Sequence, residues 1–112
     1  MINQKITSEE LKWVGLDWDN CLCNNSGMPD FAPTTLLSGA KEAVDRIIAM
    51  GFNPVVFTAR PWSEFHLVRE KIKEYDLPIK IIICGKPLMR CMIDDRNIEF
   101  RGDWKESVDK IR

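Results

Sequence analysis

Long apolar runs are missing from this chain. No stretch approaches the roughly 20 residues that crossing a bilayer requires, so a helical membrane span is excluded and no membrane partner is expected. The stretch from Met1 to Lys12 is polar and lacks the apolar segment that export requires, which points to a cytoplasmic protein. Excess positive charge is missing too. The formal net charge is -1 and the sequence pI about 5.8, with Lys and Arg scattered among Asp and Glu, so there is no basic footprint for a nucleic-acid backbone. Histidine is nearly absent: His66 stands alone, mid-helix by pattern, and a structural role suits it better than catalysis. No Gly-rich loop ending in Lys-Ser or Lys-Thr appears, which removes the P-loop kinases. The four cysteines, Cys21, Cys23, Cys84 and Cys91, match no common zinc spacing and read as reduced thiols.

What is present suits a soluble globular unit. The 112 residues are 45% hydrophobic and 29% charged, enough for one core and one domain over residues 1–112. Residues 1–11 read as an N-terminal arm, with one helical turn at Ser8 to Leu11. Trp13-Val14-Gly15-Leu16 reads as a short buried strand running into Asp17-Trp18-Asp19, and residues 20–33 as a loop dense in Asn, Gly, Pro and Ser. Ala40, Val44, Ile47 and Ile48 fall on one helical face, with Ser38 as its cap and Gly51 as its end. Pro54 to Phe57 is a second strand, closing at Thr58. Pro61 would open a second helix with a Phe65, Val68, Ile72, Tyr75 stripe, stopped by Asp76-Leu77-Pro78, while Lys71 and Lys73 beside Glu70 and Glu74 form its solvated face. Ile79 to Ile83 is a third strand, Cys91-Met92-Ile93 a fourth ending at Asp94, and Trp104 to Ile111 a last helix.

Strands alternating with amphipathic helices predict an α/β domain: a Rossmann-like three-layer arrangement, its mostly parallel sheet covered by helices on both faces. Ligands of such sheets bind beyond the carboxyl ends of the strands. At those ends stand Asp17 and Asp19, then Thr58 and Arg60, then Lys86, and finally Asp94 and Asp95. So many carboxylates in one crevice call for a hard divalent cation, and Mg2+ prefers oxygen ligands.

The motifs Leu16-Asp17-Trp18-Asp19, Phe57-Thr58, Gly85-Lys86-Pro87 and Ile93-Asp94-Asp95-Arg96 resemble, in order, the four motifs of the haloacid dehalogenase superfamily, over residues 12–104. The resemblance implies a Mg2+-dependent phosphatase acting on phosphate monoesters. In it Asp17 is the nucleophile that becomes an aspartyl phosphate, and Asp19 the general acid and base. Thr58 would hydrogen-bond a phosphoryl oxygen, and Lys86 would steady the nucleophile and the transferring group. Asp94, with Asp17 and the Asp19 backbone carbonyl, would hold Mg2+. Asp95 would brace the site or serve as an alternative metal ligand, or else form a surface ion pair with Arg96. Arg60 would reach the substrate, pair with a carboxylate or brace its helix. Asp17 and Asp19 share a side because strand side chains alternate.

Where the family usually has Gly and then Thr or Val, this chain has Asn20 and Cys21. Asn tolerates left-handed backbone and can stand in for Gly. The intervals between motifs leave room for no cap domain, so the site would be open. It would suit a large substrate, a loop around Met28 to Phe31 acting as a flap, or a neighbouring subunit of a homo-oligomer acting as a lid. Trp18, Trp62 and Trp104 read as packing groups, with Trp18 or Trp62 lining the substrate entrance. The substrate is a phosphorylated small molecule or a macromolecular end. Ile93-Asp94-Asp95-Arg96 is similar to the phosphatase portion of bifunctional polynucleotide kinases, which makes a nucleic-acid 3'-phosphatase the alternative. A phosphate- or partner-binding module without turnover is the other, against which stands the retention of Asp17, Asp19 and Lys86.

Overall fold

The computed structural model describes residues 12–24 and 35–111. The expected arm at 1–11 and the flap around Met28 to Phe31 lie outside them. Strand β1 (Trp13–Leu16) is followed by a two-stranded antiparallel ribbon, β2 (Cys23–Asn24) with β3 (Thr35–Leu36). Then come α1 (Ala40–Ala49), β4 (Asn53–Phe57), a short 3-10 turn (Trp62–Glu64), α2 (Phe65–Glu74), β5 (Ile81–Ile83) and α3 (Trp104–Asp109).

The sheet is parallel, in the order β1-β4-β5, with Leu16 opposite Val56 and Phe57 opposite Ile83. Parallel neighbours require helical crossovers, and α1 and α2 are those crossovers. Much of each expected stripe is buried: Ala40, Val44 and Ile47 of α1, joined by Ala43, and Val68 and Ile72 of α2. With Leu16, Val56 and Ile82 they form one core, which Trp104 and Val108 of α3 complete.

Several expectations need correction. Ser38 does not cap α1; Gly39 holds the N-cap at φ 82, a backbone that glycine adopts without strain. Ile48 is exposed, and Ala43 takes its place on the buried stripe. Pro61 does not open α2 but precedes the 3-10 turn. Gly51 ends α1 as expected, at φ 90. The largest correction concerns the fourth strand. Residues 84–103 contain neither strand nor helix, and Ile93 is 99% exposed. A β-branched residue favours a strand only where a paired, half-buried surface receives it, and Cys91-Met92-Ile93 has none.

The second face of the sheet is different from the first. Trp13, Gly15, Val55, Phe57 and Ile83 line a shallow depression of about 240 Å3 there. Among the described residues no helical side chain lines it. The fold is therefore a small α/β domain with a three-stranded parallel sheet flanked by helices. No described helix is long and apolar enough to cross a membrane.

Candidate functional site

The three strands end on one edge, and their carboxyl ends carry the expected residues. Asp17 follows β1, Thr58 follows β4, and Cys84-Gly85-Lys86 follows β5. Backbone hydrogen bonds tie the second and third loops together. The Thr58 N–H donates to the Ile83 carbonyl (2.9 Å), the Lys86 N–H to the Thr58 carbonyl (2.9 Å) and the Gly85 N–H to the Arg60 carbonyl (2.8 Å). Gly85 sits at φ 77, and a side chain there would meet the Trp62 indole at 3.5 Å.

Asp17 and Asp19 turn outward while Trp18 between them is buried at 2%, the alternation expected of extended backbone. The Asp17 side chain is 46% exposed, and the Lys86 ammonium lies 3.1 Å from its Oδ1. That same oxygen accepts the Trp18 N–H at 2.8 Å. Lys86 also stands over the Phe57 ring, 5.5 Å from its centre, which bounds the site on that side. Asn20 has φ 56, so it does occupy the left-handed position.

Arg60 makes the strongest contacts in the site. Its Nε donates to Asp19 Oδ2 at 2.9 Å and its Nη2 to Asp19 Oδ1 at 2.7 Å, a bidentate fork. Its Nη1 donates to Glu64 Oε1 at 2.9 Å. The side chain is only 9% exposed. The hydrogen bonds to Asp19 raise the guanidinium above its already high range against the opposing effect of burial, so it stays charged. Of the three roles open to Arg60 in the sequence, pairing with a carboxylate is the one the structure shows.

Thr58 is fully buried, and its Oγ1 accepts the Arg60 N–H at 3.2 Å. The hydroxyl thus shapes the loop beneath the site; its hydrogen is still free to be donated. Cys21, next to the nucleophile position, is buried. Burial, and then the Asp17 charge, push its thiol up to about 12, so it stays protonated.

The structure does not bring Asp94 and Asp95 to this edge. Both are exposed on the irregular 84–103 segment, and Asp94 Oδ1 accepts the Arg96 N–H at 2.8 Å in a local turn. Among the described residues, no ion pair joins Asp95 to Arg96, and no three His, Cys, Asp or Glu side chains gather as a metal cluster. The donors at the site can be compared with what Mg2+ takes. This ion keeps several waters and uses one or two carboxylates together with substrate phosphate. Asp17 offers an exposed hard oxygen of that kind. Both Asp19 carboxylate oxygens are held by Arg60.

No family model, curated protein or solved structure matches the chain.

Sequence reasoning missed Glu64. Its signal was present: Arg60 and Glu64 are four apart, the spacing at which opposite charges meet on a helical turn. It also missed the β2–β3 ribbon. His66 is exposed rather than packed, and of the two candidate entrance tryptophans only Trp62 is exposed, at 58%.

Proposed function

We propose that the chain is a Mg2+-dependent phosphomonoester hydrolase of the haloacid dehalogenase type, acting through an aspartyl phosphate on Asp17. The observation that carries this reading is the Asp17–Lys86 pair at 3.1 Å on the carboxyl edge of a parallel sheet, with Asp19 two residues along. An exposed carboxylate with a fixed cation beside it is what nucleophilic attack on a phosphate dianion needs, because the cation offsets repulsion between the two anions.

In the first step an Asp17 oxygen bonds to phosphorus and the bond to the leaving oxygen breaks. Asp19, entering the step in its protonated form, gives that oxygen the proton and is left as the carboxylate that Arg60 holds. In the second step water attacks phosphorus, Asp19 takes the water's proton, and the Asp17–phosphorus bond breaks to release phosphate. The Lys86 ammonium stays within reach of the transferring oxygens throughout. Mg2+, when bound, neutralises charge on the phosphoryl group. Asp17 and the Asp19 carbonyl would hold it. In this reading the domain is a three-layer Rossmann-like fold.

The exposed Trp62 favours a second substrate class. An indole beside Gly85, one residue from Lys86, offers a stacking surface for a nucleobase, which suits a nucleic-acid 3'-phosphate end. The acidic balance of the chain weighs against it.

The test is phosphate release from a panel of small phosphomonoesters and a 3'-phosphorylated oligonucleotide, with Mg2+ and with chelator, for wild type and Asp17→Asn. Metal-dependent release that disappears in the variant is the expected result. Silence across the panel would refute the hydrolase reading in favour of a binding module.

A further inference from the structure

Arg60 has little backbone freedom. Its N–H is held by Thr58 Oγ1 and its carbonyl by the Gly85 N–H, so only its side chain can swing. The guanidinium is divided between two acids: Nε and Nη2 face Asp19, and Nη1 faces Glu64. Glu64 closes the 3-10 turn, fixed by its own N–H bond to the Pro61 carbonyl at 2.9 Å, and its side chain is 15% exposed. A carboxylate this withdrawn from water costs stability unless it is paired, so the contact differs in kind from the solvent-exposed Lys71–Glu74 pair.

We propose that Glu64 is a positioning residue that locks the Arg60 fork and thereby fixes the direction in which Asp19 presents its carboxylate. The proposal rests on the hydrolase reading, in which Asp19 moves the proton of the leaving group. With Glu64 in place, the guanidinium plane is set by bonds at both ends and Asp19 is held at two oxygens. Without Glu64, the fork can rotate about its last bonds and keep a single contact to Asp19. Glu64 thereby helps to keep the fork on Asp19. Small errors in the placing of a proton donor are costly in rate, and carboxylates that orient an active-site group commonly contribute about tenfold or more.

The experiment compares the full-length wild type, Glu64→Ala and Glu64→Gln on two esters, nitrophenyl phosphate and a simple alkyl phosphate. Their leaving groups differ in need of a proton. For Glu64→Ala we expect kcat on the alkyl ester to fall about tenfold, with a much smaller loss on the aryl ester and KM unchanged on both. Glu64→Gln keeps an oxygen for Nη1 and should recover most of the alkyl rate. An equal loss on the two esters, or a raised KM at unchanged kcat, would overturn the proposal. Thermal melts confirm that the variants are folded.

A second readout does not need turnover. The Arg60 Nε–H resonance in 15N NMR should be sharp in wild type, displaced in Asp19→Asn and broadened in Glu64→Ala. A resonance indifferent to Glu64→Ala would defeat the proposal whatever the kinetics. A wild type that releases no phosphate, yet shows this broadening, would sink the hydrolase reading and leave the Glu64–Arg60–Asp19 coupling established.

Discussion

At the scale of single residues, Asp17 and Asp19 have the same chemistry and different surroundings. Asp17 is open to solvent with one cation at hand, whereas Asp19 is clamped at both oxygens. Asp17→Asn should lower turnover by about a thousandfold or more while leaving the melting temperature nearly unchanged, because one partly exposed pair is lost. Appreciable activity in that variant would deny the covalent route. Asp19→Asn should slow alkyl phosphates more than aryl phosphates, and equal slowing would deny it the acid role. The cysteines supply a prediction of another kind. Burial pushes the Cys21 thiol up to about 12 and raises that of Cys84, so both resist ionising and reacting. Cys23 is buried as well, and Cys91 alone is exposed. Iodoacetamide at about pH 8 should therefore label the folded protein once, at Cys91, as read by mass spectrometry.

At the scale of elements, α3 depends on its cap. Asp103 Oδ1 accepts the Glu106 N–H at 3.2 Å and holds the first turn of a six-residue helix. Asp103→Ala should cost about 1 kcal/mol, seen as a lower urea midpoint. The elements also show where the sequence was legible. Trp13 to Leu16, most of the α1 and α2 stripes and the strand at Pro54 to Phe57 follow from period, because each is a local pattern that buries itself on a neighbour. Asp17, Asp19 and Lys86 were found by standing at strand ends. The 91–93 strand failed for the opposite reason: Cys91-Met92-Ile93 has the composition of a strand, but composition supplies no partner. Thr58 and Arg60 were visible as site residues, while their roles were not. Whether a hydroxyl faces phosphate or its own loop, or a guanidinium faces substrate or an acid, depends on side-chain contacts between residues far apart in sequence. The reach of Arg60 to Asp19 spans 41 positions.

At the scale of the molecule, order is unevenly distributed. The parallel sheet and its helices share one core, whereas residues 84–103 carry no regular structure and expose Leu88, Met89, Met92 and Ile93. Exposed irregular backbone is where proteases cut first. Among the described residues, brief trypsin treatment should cleave after Arg90 or Arg96 before any site in α1 or α2, as read by intact mass. Mg2+ with inorganic phosphate should slow the cut at Arg96 if Asp94 joins the metal site. An unchanged rate would deny Asp94 that part.

One contact links the far ends of the sequence. The Trp104 indole N–H donates to the Cys21 carbonyl at 2.9 Å, so a helix near residue 104 anchors the turn that follows the nucleophile. On the ribosome, that turn is complete only after Trp104 has emerged. A chain released early, with β1, β4 and β5 already made, would carry Asp17 and Lys86 without the anchor for the loop between them. The competence of the site thus waits on residue 104, which lies well beyond the strands that carry its chemistry.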